Sequence, residues 1–432
     1  MKRYCRALIY ILVLLMMSLL AGCSGAAFDN DEDEESEYLT DNCMMGRNFS
    51  QEIPVYIYGR VIDSCSNETE DGYAVDKSAA EDAAQLYIDD CLAAGFMLTG
   101  TVTIEDNTFY TLTDEEYVMY IMDTPALDRM IITVERKDTQ CGSDLTGTHT
   151  SSDSSVTLSQ IGQDGGELYG MGYVVRLRDG RFLVFDGGYK DNSASERIYE
   201  EMASQTPEGE DIVIAAWILS HSHNDHCGAY VSFTEKHHTD VTLEKVFYNF
   251  GYEEQYTSTS QNYAYYDYVK SMTNTKLYPG MQRVNPHPGQ SWDFGGLTIT
   301  FISSGEVMTG DPMASANSMS LVWIMETDGQ KFIFTADSNS ENTPYVMKLY
   351  PGDTLVCDVL QVAHHGYNSG AMGPEYYEKI DPDFVLWPSG TGNYEKKAVQ
   401  NLATNRWILD NVDESRIYVA RDEVQRFDLP MR

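Results

Sequence analysis

The segment Ser220–Gly228, which reads Ser-His-Ser-His-Asn-Asp-His-Cys-Gly, constrains this chain more than any other. It places three histidines and an aspartate within six residues, directly after the apolar run Ile212–Leu219. That run has the length and composition of a buried strand, so the histidines should lie where a strand ends and a loop begins. Clustered imidazoles are rarely buried without partners, and imidazoles with a carboxylate at this spacing are typical metal ligands. A polar turn that satisfies its own hydrogen bonds is the alternative.

The net charge of the chain limits the partners that it can have. Its 432 residues, a length typical of two or three domains, carry a formal net charge of -38 at pH 7. An acidic surface repels nucleic acid and anionic lipid at long range, so we expect no nucleic-acid partner. Metal ions would still dominate the field in their own neighbourhood.

Residues 1–23 are predicted to be an export signal rather than part of the fold. A basic start is followed by the apolar run Ala7–Leu20, and the segment ends Leu-Ala-Gly-Cys at Cys23. This ending resembles the lipobox of bacterial lipoproteins, which implies lipidation of Cys23 and anchoring on the extracytoplasmic face of the cell membrane. An ordinary cleaved signal and an anchor helix are the alternatives, and both also export the chain. Residues 24–48 include the acidic run Phe28–Glu37, typical of a disordered tether.

Export permits disulfide bonds. Apart from Cys5 and Cys23, four cysteines precede the second domain, namely Cys43, Cys65, Cys91 and Cys141. Two more, Cys227 and Cys357, lie in apolar segments of the second domain. Two bridges are conceivable among the first four, with the connectivity open. We interpret Cys227 and Cys357 as small core residues; the alternative for Cys227 is a metal ligand.

Residues 49–140 are predicted to form a small α+β domain. The segment Val55–Ile62 alternates like a strand, and Lys77–Ala94 carries an apolar stripe at helical spacing before Gly95. Strand-like segments separated by turn residues follow up to Val134. This region contains no catalytic cluster, so its role stays open.

Residues 148–432 are predicted to form a second, larger domain in which apolar runs repeatedly end on a candidate ligand. Besides the run before the histidines, such runs end at Asp186, Asp337 and the pair His364 and His365. Further predictions in this region are a strand over Asn317–Glu326, a strand over Cys357–Ala363 and a helix over Tyr394–Leu409.

The segment Gly251–Tyr268 is crowded with tyrosines. It is predicted either to pack its rings on the core or to form an aromatic wall near the site, which could hold a cationic head group.

The motifs of the second domain resemble those of the metallo-β-lactamase superfamily. The signature segments are His221–His226, Phe185–Gly188, Thr335–Asp337 and His364–Gly366, with weaker similarity at Asn317–Val322 and Trp387–Tyr394. The paired histidines before glycine resemble the branch that includes the competence-type DNA uptake domain and phosphorylcholine esterases. The resemblance covers the chain from about Val156 onwards, and it implies an α/β fold, the αββα sandwich.

The resemblance also implies a site for two divalent metal ions, with zinc as the first expectation and iron or manganese as alternatives. The expected ligands are His221, His223, Asp225, His226, Asp337, His364 and His365. Asp225 and His226 are also the catalytic candidates, and Asp186 should orient a ligand histidine. Two such ions roughly 3.5–4 Å apart would share and acidify a water, giving a bridging hydroxide.

The chain departs from the superfamily pattern at two positions. Asn317 stands near the place where another ligand histidine is expected, and it either lines the site or caps the start of a strand. Glu395 follows Asn393-Tyr394 where the branch often carries a histidine. Strand alternation would send His364 and His365 to opposite sides, so which of them binds metal stays open.

Three functions are compared on this basis. The first is a surface-anchored dinuclear metallohydrolase that cleaves a phosphodiester-type bond in a small or cell-envelope substrate. The second keeps the fold and hydrolyses an amide or ester, such as a lactam or lactone, because fold and metals do not choose the substrate. The third, a binding lipoprotein without catalysis, would require lost ligands, and few are lost.

Overall fold

The structure is a computed structural model that describes residues 53–66, 70–127, 129–137, 155–162, 170–190, 193–252, 263–309, 315–367, 373–421 and 423–432. The predicted signal, Cys23, the tether, Cys43 and Cys141 lie outside these ranges. Within them, no helix has the length and hydrophobicity needed to cross a membrane.

A six-stranded antiparallel sheet forms the first part of the described chain. Its strands are β1 (Val61–Ser66), β2 (Glu70–Asp76), β3 (Met97–Ile104), β4 (Asn107–Thr113), β5 (Tyr117–Thr124) and β6 (Arg129–Arg136), in the order β1-β2-β6-β5-β4-β3. Helix α1 (Ala83–Ala93) buries Tyr87, Ile88 and Cys91 in the core of this sheet. The α+β character thus follows from one amphipathic helix on one sheet.

The strand predicted over Val55–Ile62 is wrong in its bounds. Pairing begins only at Val61, and the preceding residues turn around the side chain of Asp76. The Asp76 carboxylate accepts hydrogen bonds from the backbone N–H groups of Arg60, at 2.9 Å, and Ser78, at 3.2 Å. A side-chain acceptor therefore replaced the ladder that the alternating pattern had suggested.

Two further sheets make up the rest of the described chain. The eight-stranded sheet contains β7 (Thr157–Gln160), β8 (Gly172–Arg176), β9 (Phe182–Asp186), β10 (Ile212–Ile218), β11 (Val241–Leu243), β12 (Lys245–Phe247) and β13 (Gln282–Val284), with a last strand at Gln425–Asp428. The seven-stranded sheet contains β14 (Ser291–Asp293), β15 (Leu297–Ser303), β16 (Val322–Thr327), β17 (Gln330–Phe334), β18 (Val359–Gln361), β19 (Phe384–Trp387) and β20 (Ile417–Val419). The strand at Gln425–Asp428 is β21.

Helices cover the outer faces of both sheets, and a buried apolar layer joins the inner faces. Phe185 from one sheet lies 5.4 Å from Trp323 and 4.9 Å from Phe334 of the other, measured between ring centroids. The helices are α2 (Ala194–Gln205), α3 (Asn224–His237) and α4 (Tyr263–Met272) on the first, and α5 (Thr343–Leu349), α6 (Glu375–Ile380), α7 (Thr391–Tyr394), α8 (Lys397–Gln400) and α9 (Ala403–Asn411) toward the second. The predicted αββα fold class is confirmed.

The small sheet packs against the larger part of the chain rather than standing apart. Phe109, Met122 and Ile131 belong to the same buried apolar cluster as Ile302 and Val322. Hydrogen bonds also join the two parts: the Glu105 carboxylate, after β3 of the small sheet, accepts from the backbone N–H groups of Gly352, at 2.6 Å, and Thr354, at 2.9 Å.

The parallel strands bring their carboxyl ends to common edges. In one sheet Ile218 of β10 is level with Phe185 of β9 and Phe247 of β12, and in the other Phe334 of β17 is level with Gln361 of β18. The segments that follow these strands therefore start side by side, which is where ligands bind in such folds.

Two predictions near the C-terminal half are wrong in detail. The segment Asn317–Ser320 is a turn held by Ser315 and Ser318, and the strand starts at Val322. The helix predicted over Tyr394–Leu409 is broken into α7, α8 and α9. The Asn405 amide bonds the carbonyls of Val399, at 2.8 Å, and Gly366, at 2.6 Å, so tertiary hydrogen bonds outweigh helical continuity there.

Cys91, Cys227 and Cys357 are buried free thiols, and Cys65 is buried as well. Two disulfide bonds among the four N-terminal cysteines are therefore not formed, because Cys91 would have to take part in one of them.

Candidate metal centre

The histidine segment is clamped between the two large sheets. After β10 ends, Leu219 N–H donates to the carbonyl of Phe247, and the carbonyl of Ser220 accepts from Leu321 N–H, both at 2.9 Å. His223 takes the N-cap position of α3 with φ -75° and ψ 151°, so Asp225 and His226 sit in the first helical turn. Strand, tight loop and helix start thus deliver four candidate ligands from one rigid segment.

Asp337 and the paired histidines come from the neighbouring ends of β17 and β18. Gln361 Oε1 accepts from the backbone N–H groups of Thr335, at 2.8 Å, and Ala336, at 2.7 Å, and Ala336 has φ 46°. His364 N–H donates to the carbonyl of Ala336, at 2.9 Å. These hydrogen bonds fix the loop that carries Asp337 to the loop that carries His364.

One group of side chains that could hold a metal ion contains His221, His223 and Asp337, whose ligand atoms lie within 4.8 Å of one another. His221 Nε2 is 3.7 Å from Asp337 Oδ2. The Nε2 atoms of His221 and His223 are buried and have no hydrogen-bond partner. Since buried polar atoms are almost always paired, these orphaned nitrogens indicate a missing electron-pair acceptor.

The second group contains Asp225, His226, His365 and again Asp337. His226 Nε2 lies 3.0 Å from Asp337 Oδ1 and 3.1 Å from His365 Nε2. His365 Nε2 is 3.3 Å from Asp225 Oδ2. Asp337 therefore faces the first group with Oδ2 and the second with Oδ1, as a carboxylate shared by two sites would.

The hydrogen bonds behind the site decide which nitrogens can bind a cation. His226 Nδ1 is 2.7 Å from Asp186 Oδ2, and His365 Nδ1 is 2.9 Å from the carbonyl of Pro388. Carboxylate and carbonyl oxygens only accept, so both Nδ1 atoms carry the protons in neutral rings. The two Nε2 atoms then face each other across 3.1 Å beside two carboxylates, an arrangement that requires either a proton or a metal ion between them.

His364 and His365 both reach the site, because neither lies on a strand. Their φ values are 49° and 56°, so the alternation expected for a strand does not apply. His365 is fully buried, whereas the His364 side chain is 20% exposed and its Nε2 lies 3.6 Å from Asp337 Oδ2. Asn317 Nδ2 is 3.3 Å from His364 Nε2, which places this amide at the rim of the site, in the turn that precedes β16.

Electrostatics keep the first pair of imidazoles neutral. Burial, with the nearby charges of His226 and His223, holds the pKa of His221 well below its ordinary value, and burial lowers the pKa of His223 to about 4. Burial opposes a charge on His226 too, but the carboxylates of Asp337 and Asp186 raise its pKa well above the ordinary value. A proton thus occupies His226 where a metal ion would compete for the same lone pair.

Three supporting groups had not been identified from the sequence. Ser220 donates its backbone N–H to Asp186 Oδ1 and its hydroxyl to Asp186 Oδ2, both at 2.7 Å, while its Oγ lies 3.0 Å from His221 Nδ1. Gln361 Oε1 holds the backbone of Thr335 and Ala336, and the Pro388 carbonyl lies 2.9 Å from His365 Nδ1. Of these groups, only Ser220 could have been found from the sequence, because its hydroxyl adjoins a candidate ligand histidine. The contacts of Gln361 and of the Pro388 carbonyl depend on the tertiary structure.

The structure brings the seven predicted ligands to one place, with Asp186 and Asn317 beside them. Cys227 is not in either group, because its thiol donates to the carbonyl of His223, at 3.0 Å, and it is fully buried. Nitrogen and oxygen donors of this kind fit divalent zinc, and equally iron or manganese.

Residues 165–374 match the family model described as the metallo-beta-lactamase superfamily. ComE operon protein 3 of Bacillus subtilis is 39% identical over 83 residues, which are 19% of this chain and 10% of that protein. Recombination protein 2 of Haemophilus influenzae is 24% identical over 258 residues, 56% of this chain and 28% of that protein. The chain therefore spans only a minor part of the length of these curated relatives.

Two solved structures are similar at low identity. The metallo-beta-lactamase fold protein YhfI from Bacillus subtilis has a TM-score of 0.39 and 14% identity, over 63% of this chain and 99% of that chain. The short form of human tRNase Z has a TM-score of 0.37 and 11% identity, over 64% of this chain and 100% of that chain.

Asp186→Asn should weaken metal binding while preserving the fold. The amide can no longer accept from both the Ser220 hydroxyl and His226 Nδ1, so the His226 ring loses its fixed tautomer. We expect the metal affinity to fall about 10–100-fold, as for other partners of ligand histidines. Competition with a chromogenic chelator measures this affinity. Asp410→Asn, at a half-exposed surface ion pair with Arg406, is the matched control, and equal affinities for the two variants would contradict the role of Asp186.

Acidification should release an ion from the group of His221 and His223 only near pH 4. Histidine binds metal as the neutral ring, so the ion is retained while the imidazoles stay unprotonated. The pKa of His223 is about 4 without metal, so an ion held by His221 and His223 should stay bound as the pH falls from neutrality and be lost at or below about that value, whereas protonation of His226 releases an ion from the second group at higher pH. Elemental analysis after dialysis measures the content. Loss of both ions around the ordinary histidine pKa of 6.5 would show that the first group is not pre-organised as described.

Proposed function

Because the chain carries a metallo-β-lactamase superfamily domain with two adjoining ligand groups, we propose that it is a dinuclear metallohydrolase acting on a phosphodiester-type bond. Members of this superfamily are usually metallohydrolases. The observation that carries the proposal is Asp337, whose two oxygens face different sets of histidines. Two divalent ions held there would polarise the scissile group and lower the pKa of a bound water.

The residues of the chain supply position and charge around that chemistry. Asp337 is buried, and although burial opposes its charge, the neighbouring His226, His365 and His364 hold its pKa well below the ordinary value. Burial also opposes a charge on Asp225, but the neighbouring His365 and His226 lower the pKa of this carboxyl below its ordinary value. The site thus keeps fixed negative charge for the ions at neutral pH, and no reorganisation is needed during the reaction.

Asn317 can contribute to substrate binding at the rim. Its Oδ1 is buried without a hydrogen-bond partner, and its Nδ2 lies beside His364. The amide presents the acceptor Oδ1 and a second Nδ2 hydrogen to a substrate, where a histidine would present one ligand nitrogen. Asn317 can therefore bind a polar group of the substrate beside the ligand residues.

The net charge of -38 supports a small or cell-envelope substrate over long nucleic acid. We propose further that the chain is exported and held to the membrane by lipidated Cys23. Replacing Cys23 with Ala should abolish incorporation of labelled palmitate and move the protein from the membrane fraction to the soluble fraction after expression in bacteria. Unchanged labelling and fractionation would contradict the anchor, without bearing on the hydrolase.

Hydrolysis of bis(p-nitrophenyl) phosphate by zinc-loaded protein tests the proposed reaction. His223→Ala removes a ligand from the first group and should lower the rate roughly a hundredfold or more, since metal ions stabilise such transition states by several kcal/mol. His238→Ala is the matched control, because among the described residues the His238 side chain bonds only the carbonyl of Thr234, at the end of α3. Equal rates for wild type and His223→Ala would remove the proposal. A lactam and a lactone measured in parallel separate amide or ester hydrolysis, which would appear as a rate confined to those substrates.

A further inference from the structure

The six-stranded sheet ends on one side in a long edge strand without charged residues. Strand β3 contains eight residues, and among the described residues no strand pairs with its outer side. The other strands at the ends of the three sheets contain six residues or fewer. The stretch Cys91–Ile104, which includes β3, carries no charge, although charged residues make up 22% of the chain. Proteins usually avoid a long, exposed, uncharged edge, because its backbone can pair with another chain.

The opposite edge of the same sheet has the usual protection. Strand β1 carries Asp63, and its register shifts between Val61 and Asp63, which indicates a bulge. Both features hinder pairing with a further strand. Strand β3 is irregular only at its start, between Leu98 and Gly100, and pairs regularly with β4 from Gly100 to Ile104. This last part of β3 is therefore a regular edge without protection.

The hairpin between β3 and β4 determines which backbone groups of β3 face outward. Its two-residue turn is closed by the pair Ile104 and Asn107, and the pair that closes such a turn exchanges both of its hydrogen bonds. Bonded and non-bonded pairs alternate along an antiparallel ladder, so Thr101 and Thr103 direct their N–H and C=O groups away from β4. Both residues are exposed. Two donors and two acceptors thus face the outer side of β3.

Apolar side chains are exposed on both faces of β3. Leu98 lies opposite Leu112, which belongs to the buried cluster under α1. Val102 lies opposite Phe109, on the face toward the larger part of the chain. The exposed fraction is 43% for Leu98 and 45% for Val102. Since side chains alternate between the faces of a sheet, a strand added along this edge would cover apolar groups on both faces.

We propose that β3 pairs antiparallel with β3 of a second copy, so that two six-stranded sheets join into one across a two-fold axis near Val102. Each copy carries a net charge of -38, and two such chains meet with least repulsion along an uncharged surface. A strand without charges also offers nothing that would select a charged partner peptide. Lipid tails would cover the apolar side chains but would leave the outward N–H and C=O groups unpaired. This pairing does not depend on the hydrolase activity.

Sedimentation equilibrium of the full chain carrying Cys23→Ala, which removes the proposed lipid site, measures the association. An interface of one strand pair is small, so we expect a reversible dimer with a dissociation constant on the order of 10 µM. Raising the salt concentration from about 50 mM to about 500 mM should strengthen the dimer, because the like charges of the two copies are then screened. A dimer that weakens with salt would depend on ion pairs and would contradict the proposal. A monomer at every concentration would overturn it, and binding of that monomer to phosphatidylcholine vesicles would assign β3 to lipid instead.

Thr101→Pro tests the backbone pairing. The change removes an outward N–H group of β3 without removing a bond of the ladder between β3 and β4, which edge strands tolerate. It should weaken dimerisation at least about tenfold, because the hydrogen bond is lost once in each copy. Thr101→Val, which keeps the N–H group and suits a strand, is the matched control and should dimerise as wild type does.

Val102→Lys tests the position of the interface without a change to the backbone. The variant brings two like charges together across the proposed axis and should also weaken the dimer about tenfold, since like charges on opposite strands destabilise pairing. Ile62→Lys is its matched control, because Ile62 is 49% exposed on β1, at the opposite edge of the sheet, and the added charge is the same. Wild-type association in either Thr101→Pro or Val102→Lys would contradict the proposal.

Discussion

Converging electron-pair donors around Asp337 are the constraint on which the rest of this structure depends. Two carboxylates and two histidine Nε2 atoms meet within hydrogen-bonding distance, and their protons are committed to acceptors behind them. Without a proton or a metal ion between these atoms, the arrangement would be repulsive and poorly solvated. The fold tolerates it because both large sheets clamp the loops through backbone hydrogen bonds, so the ligands cannot move apart to relieve the repulsion.

The edge of the fold that carries the candidate metal centre also positions Asn249. Asn249 follows β12, which lies next to the histidine strand β10, and its amide donates to Glu306 at 3.0 Å. Its Oδ1 in turn accepts from Gly251 N–H at 3.3 Å. The histidine segment and Asn249 therefore lie on loops that follow neighbouring parallel strands. The small sheet packs onto the larger part of the chain through a shared apolar cluster and the bonds of Glu105.

Much of the fold followed from local pattern. The apolar runs before Asp186, His221 and Asp337 are strands, because buried parallel strands are continuous apolar segments that periodicity detects well. The errors came where side chains compete with backbone pairing. Asp76 turned the chain before β1, and Asn405 separated α8 from α9. Neither effect can be inferred from periodicity, since Asp76 bonds Arg60 and Asn405 bonds Gly366, both far away in the sequence.

The sequence by itself determined the donor set, since imidazoles and carboxylates at these spacings after apolar runs have few other uses. Only the tertiary structure decided how the donors are shared. Left-handed backbone at His364 and His365 brings both rings to the site, and Asp186 and the Pro388 carbonyl select the nitrogens that face Asp337. The physical reason is that ring orientation and tautomer depend on acceptors contributed by remote segments, whereas ligand identity is a property of each residue alone.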